Sequence, residues 1–160
     1  MIVRVLSKGH FDTVLPRMRI DNTNVEEHVD KAFISITDGD MKDVHYFDKD
    51  YSNVLNLEFD DATDEENERR VKSGQKELVL FTKEQGKKII DFVEKNKHVE
   101  TFFVHCLAGQ SRSGAVGVFI NDLFGEETYF EFANSNPIIK PNYFIIALLR
   151  RLSNGDEDED

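Results

Sequence analysis

Residues 101–120 read TFFVHCLAGQSRSGAVGVFI, and the order of residue types along them decides the architecture. Thr101-Phe102-Phe103-Val104 is a nearly continuous apolar run, the pattern of a strand covered on both faces. Ala115, Val116, Phe119 and Ile120, with Leu123 beyond the quoted stretch, recur at helical spacing from a start near Ser113. Between strand and helix, after Cys106, lies a short loop with Gly109 at its middle. Such a corner turns successive backbone N–H groups toward one point at a helix N-terminus, which is a site for an anion. Arg112 enters the same corner with a planar fork suited to two oxygens of an oxyanion at once. Cys106 then lies on the floor, facing the positive end of a helix and a guanidinium. Both favour thiolate over thiol, so its pKa is expected well below the free value of about 8.5. A thiolate beneath a cradled phosphate is a nucleophile in line with phosphorus.

Working outward, three more β-branched or aromatic runs predict strands at 2–6, 32–37 and 54–59, joining the one at 101–105. Thr82-Lys83-Glu84-Gln85 is a capping-box sequence, and it opens a helix whose apolar stripe is Ile89, Ile90 and Val93, with Phe92 beside it. A last helix is predicted from about Pro141 through Leu152 to the Asn154-Gly155 stop, and a weak one at 25–29. Strands separated by helices predict an α/β fold: a central, mostly parallel sheet of four to five strands flanked by helices. Residues 61–77, DATDEENERRVKSGQKE, are almost wholly polar and read as a long loop, functional or projecting into water. The domain is expected to span 1–154, and the acidic run at 155–160 to be a disordered tail.

A chain of 160 residues fits one domain, and thirteen Phe supply a core. The net charge of −11 argues against a nucleic-acid or anionic-membrane binder, since both need a positive field. No apolar stretch approaches the roughly 20 residues that span a bilayer. A single cysteine makes no internal disulfide and no cysteine-based zinc site, so a reducing cytoplasm is the expected location. His10, His28, His45 and His98 lack metal-ligand spacing. The segment from Asp48 to Ser52 lacks the Gly and Glu of a calcium loop, so no metal site is expected. Asp38-Gly39-Asp40 reads as a turn.

The string HCLAGQSRSG, Cys-x₅-Arg preceded by His and followed by Ser, resembles the phosphate-binding loop of the cysteine-dependent protein tyrosine and dual-specificity phosphatases. Leu57-Glu58-Phe59-Asp60-Asp61, Leu80-Phe81-Thr82 before a helix, Ile34-Ser35-Ile36-Thr37 and Pro141-Asn142 extend the resemblance to compact bacterial and viral members, over roughly residues 30–152. The resemblance implies that Cys106 is a nucleophile forming a phosphocysteine. It implies that Arg112 and the loop amides of Leu107, Ala108, Gly109, Gln110, Ser111 and Arg112 hold the phosphoryl oxygens. Ser113 would hydrogen-bond the departing thiolate, and His105 would support the loop and help set the cysteine's ionisation. The general acid implied is an aspartate after an upstream strand: Asp61 first, with Asp60 and Asp64 as alternatives. One departure is the span of 45 residues from Asp61 to Cys106, longer than usual in the family, with the surplus in 61–77.

The implied activity is hydrolysis of phosphomonoesters on phosphorylated protein, without cofactor or metal. Leu107, Ala108 and Gln110 put no lysine in the loop, which disfavours a polyanionic lipid headgroup or an RNA 5′ end as substrate. The alternative of another class is a phosphate-binding module that captures phosphorylated partners without turnover.

Overall fold

The computed structural model of the chain describes residues 1–40 and 42–155; the acidic run 156–160 lies outside the described residues. Four strands, β1 (Ile2–Ser7), β2 (Lys31–Thr37), β3 (Val54–Glu58) and β4 (Thr101–Cys106), form one sheet in the order β1-β4-β2-β3. All three pairings are parallel. Six helices flank it: α1 (Lys8–Arg17), α2 (Asp64–Lys72), α3 (Lys83–Lys95), α4 (Arg112–Phe124), α5 (Tyr129–Ser135) and α6 (Tyr143–Ser153). The fold is α/β with a central parallel sheet, at the lower end of the four to five strands expected. No helix among the described residues is long and apolar enough to cross a membrane.

Alternation along the strands divides the core in two. Ala32, Ile34 and Ile36 of β2, with Phe102 and Val104 of β4, face the cluster built by α3, α4, α5 and α6. Phe33 faces the other way, into a smaller cluster with Phe11 and Leu15 of α1, Ile20 and Phe47. Phe103 stacks on Phe33 with ring centroids 5.4 Å apart. The adjacent strands β1 and β4 therefore send their following helices, α1 and α4, to opposite faces of the sheet. In a parallel sheet this opens a crevice beyond the carboxyl ends of those strands, and the loop 107–111 occupies it.

Five segments depart from the expected helical pattern. Residues 61–77 are not a structureless loop, because α2 occupies their middle. Thr63 caps it by accepting from Glu66 N at 3.2 Å, with acids in its first turn and Arg69, Arg70 and Lys72 in its last, so the charges match the helix dipole. It carries no apolar stripe, with only Asn67 buried, so hydrophobic periodicity is blind to it; the Thr-x-x-Glu cap is the local signal. The same signal, Thr128 with Glu131, starts the unpredicted α5. Helix α1 is capped by Ser7 and buries Phe11 and Leu15, while Pro16 in its last turn masks it in the sequence. Helix α6 begins at Tyr143 rather than near Pro141, because Asn142 is the cap. Only one 3₁₀ turn, Val25–Glu27, forms where a weak helix was expected at 25–29.

Candidate active site

The loop between β4 and α4 is fixed from two sides by its carbonyls. Leu107 O accepts from Lys8 N at 3.1 Å, where β1 passes into α1. On the other side, Gln110 O accepts from Lys140 N at 2.9 Å and Ser111 O from Asn142 N at 3.1 Å. A trans peptide holds each carbonyl opposite to the next N–H. With these carbonyls turned outward, the amides of Ala108, Ser111 and Arg112 turn toward the loop's interior. Gly109 closes the turn with φ +71°, and a Cβ there would sit 2.6 Å from Ser7 N. Both the left-handed backbone and the close approach to β1 require glycine.

Cys106 ends β4 and is 2% exposed, with its Sγ 3.0 Å from the Ser113 hydroxyl in the first turn of α4. Arg112 is 5% exposed. Its Nη1 donates to Asp38 Oδ1 at 2.7 Å and to Phe59 O at 2.9 Å, which fixes the plane of the guanidinium. Its Nε is buried and, among the described residues, has no hydrogen-bond partner. A buried guanidinium N–H without an acceptor costs free energy unless an anion meets it. The corner therefore combines a sulfur, inward amides, a helix N-terminus and an unpaired cationic donor.

The three aspartates proposed for proton transfer sit in different places. Asp61 stands at the rim of the loop, its Oδ1 accepting from Ser111 Oγ at 2.7 Å and Asn142 Nδ2 at 3.0 Å. Asp60 turns the other way and is occupied by backbone, accepting from Gly39 N at 3.0 Å and Val79 N at 2.7 Å. Asp64 is in the first turn of α2, where its carboxylate accepts from Glu65 N. Of the three, only Asp61 bonds to the loop.

The chain matches no protein-family model and no curated protein.

Two residues of this site escape local sequence reasoning. Asp38 lies in the turn expected after β2, yet its carboxylate holds Arg112 across 74 positions of sequence. Asn142 caps α6 by accepting from Phe144 N and Ile145 N, and with its amide it holds Asp61 Oδ1 and Ala62 O. An Asn at a helix start is a readable cap signal; its second task depends on α6 packing beside the loop.

His105 is fully buried behind the nucleophile, its ring 4.2 Å from that of Phe11. Burial pushes its pKa down to about 4 from an ordinary 6.5, so the ring is neutral at pH 7. Between those values the unfolded chain binds the proton that the folded chain refuses, so stability is full above about pH 6.5 and falls as pH drops toward 4. The expected loss by pH 4 is on the order of 3 kcal/mol. Urea unfolding at pH 7 and pH 4.5 checks it: wild type should lose more stability than His105→Asn, and equal losses would refute the assignment.

Proposed function

We propose that the protein is a cysteine-dependent phosphatase of the protein tyrosine and dual-specificity type, hydrolysing phosphomonoesters on phosphorylated protein. The observation that carries the reading is the corner itself, with the Cys106 sulfur beside Ser113 and the buried Arg112 Nε left without an acceptor. An equatorial phosphoryl oxygen would satisfy that donor, and the inward amides would hold the others.

In the first step Cys106 Sγ attacks phosphorus. The S–P bond forms as the bond to the leaving oxygen breaks, and Asp61 gives that oxygen its proton. In the second step water attacks the phosphocysteine, the S–P bond breaks, and Asp61 takes the proton of the water. Ser113 donates to the departing thiolate, the role its 3.0 Å separation from Sγ suits. The positive end of α4 and the guanidinium stabilise negative charge on sulfur and on the transferring group. Cys106, Arg112, Asp61 and Ser113 are thus the catalytic residues of the reading. The amides from Leu107 to Arg112 bind substrate, and His105 supports the loop.

The loop's variable side chains, Leu107, Ala108 and Gln110, add no cation for a second phosphate, which favours a single phosphomonoester on protein. The reaction uses a free thiol and so belongs in a reducing cytoplasm. Release of p-nitrophenol from its phosphate ester, with a phosphotyrosine and phosphoserine/threonine peptide panel, tests the reading. Phosphopeptide binding without any turnover would replace it with a capture module.

Asp38 is a positioning residue here, because it fixes the fork of Arg112 and touches no substrate. Asp38→Asn should lower kcat/KM for p-nitrophenyl phosphate by about 10–100-fold, as expected for a misplaced oxyanion clamp. An unchanged kcat/KM would remove Asp38 from the mechanism.

A further inference from the structure

Asp60, whose carboxylate bonds to backbone rather than to the loop, joins three parts of the chain. Its Oδ1 accepts from Gly39 N at 3.0 Å, in the turn after β2, and its Oδ2 accepts from Val79 N at 2.7 Å. Its own N–H donates to Val79 O at 2.7 Å, so residues 60 and 79 close the stem of the excursion that carries α2. Within that excursion Leu78 N donates to Asn67 Oδ1 at 2.7 Å, which ties α2 to the returning arm. The turn after β2 is pressed against the same stem, because a Cβ on Gly39 would collide with Cβ of Val79. Gly39 is outside the left-handed region, so the close approach alone requires glycine there.

These bonds set both acceptors of Arg112 Nη1. One acceptor is Asp38 Oδ1 at 2.7 Å, on the residue before Gly39. The other is Phe59 O at 2.9 Å, on the residue before Asp60. The peptide between Phe59 and Asp60 is trans, so the carbonyl of the first points opposite to the N–H of the second. Val79 O takes that N–H, which turns Phe59 O toward the guanidinium. Phe59 N extends the β2–β3 ladder to Thr37 O at 3.0 Å, so the carbonyl starts from a fixed strand end. In the same way, the Asp60 carboxylate anchors the Gly39 backbone from which Asp38 reaches Arg112. A guanidinium is planar, so holding Nη1 twice also fixes the direction of Nε, the buried donor without a partner.

We propose that Asp60 is a positioning residue for Arg112, and that through Val79 the α2 excursion is part of the oxyanion clamp. Both acceptors of the guanidinium hang on one carboxylate and one backbone pair, so a shift of the stem moves them together. The excursion thereby does more than connect β3 to α3: it returns Val79 against the turn that carries Asp38. The contribution to catalysis rests on the phosphatase reading above; the effect on the guanidinium does not.

The test is ¹⁵N NMR of the Arg112 side chain, assigned by its loss in Arg112→Lys. Isothermal titration with tungstate, a tetrahedral oxyanion, and kcat/KM for aryl phosphates accompany it. In the wild type the two Nη signals should be resolved, because the bonds to Nη1 stop rotation about Cζ–Nε. Asp60→Ala should average them, weaken tungstate binding about tenfold and lower kcat/KM about tenfold whatever the leaving group. Gly39→Ala should do the same by pushing the turn off the stem, and adding Val79→Gly should restore the wild-type behaviour by removing the colliding Cβ. A role in stability alone would lower the melting temperature while the signals of the folded protein stay resolved. Neither NMR nor titration needs turnover: loosened Arg112 signals and weakened tungstate binding, in a protein whose wild type binds tungstate but hydrolyses nothing, would end the phosphatase and leave the clamp. Resolved Arg112 signals in both Asp60→Ala and Gly39→Ala would overturn the proposal. So would averaged signals in the wild type, or averaged signals in the variants with tungstate affinity unchanged. Gly39→Ala keeps the carboxylate and stays readable if Asp60→Ala does not fold.

Discussion

Cys106→Ser is expected to abolish hydrolysis of p-nitrophenyl phosphate, with a fall on the order of 10⁴–10⁶-fold in kcat, while phosphopeptide binding survives. The two outcomes separate because the cradle has separate parts. On the proposed reading, binding uses Arg112 and the inward amides of Ala108, Ser111 and Arg112, whose orientation is set by carbonyl bonds to Lys8, Lys140 and Asn142 rather than by sulfur. Chemistry needs an anion at the floor. A hydroxyl in the same position stays protonated at neutral pH, and the hydrogen-bond partner of the Cys106 sulfur, the Ser113 hydroxyl, is not a base able to activate it. Isothermal titration with a phosphotyrosine peptide should give a Kd for the variant within about an order of magnitude of an inactive Asp61 variant's. Retained turnover in Cys106→Ser would end the covalent mechanism.

The sequence carries the strands and the corner because both are local. An apolar run of four, a glycine between strand and helix, and an Arg six positions after a Cys are short-range facts. Each is met in β4, in the φ of Gly109 and in the placing of Arg112. What local pattern leaves out comes from two physical sources. Helices α1 and α2 lack a clean apolar stripe, since α1 buries only Phe11 and Leu15 and α2 only Asn67, so their caps are stronger signals than their periodicity. The second source is pairing across the sheet. Asp38 and Asn142 are ordinary polar residues in sequence. They gain roles because the order β1-β4-β2-β3 sets β2 beside β4, and because α6 starts beside the loop. The length of 61–77, a surplus by comparison with the resembled family, becomes a capped helix outside the two cores.

Asp61→Asn should slow phenyl phosphate hydrolysis by about 10²–10⁴-fold and leave peptide binding in place. Both donors to Asp61, Ser111 Oγ and Asn142 Nδ2, fall on Oδ1, which leaves Oδ2 as the oxygen that would serve the leaving group in the proposed reaction. An Asn side chain can keep Oδ1 as an acceptor for both donors, and it presents an NH₂ where the acid stood; geometry is preserved and the transferable proton is lost. The deficit should therefore shrink with p-nitrophenol, which leaves without much help, and grow with alkyl phosphates. The high-pH limb of the kcat profile should flatten in the variant. Asp60→Asn gives the opposite signature. Its carboxylate accepts from Gly39 N and Val79 N, and replacing one oxygen by NH₂ sets donor against donor. The cost should be about 1–3 kcal/mol of stability, with the leaving-group dependence unchanged. If Asp60→Asn instead flattens the pH profile while Asp61→Asn leaves it intact, the proton donor is the neighbouring residue, and the Asn142 contact serves only to seat α6.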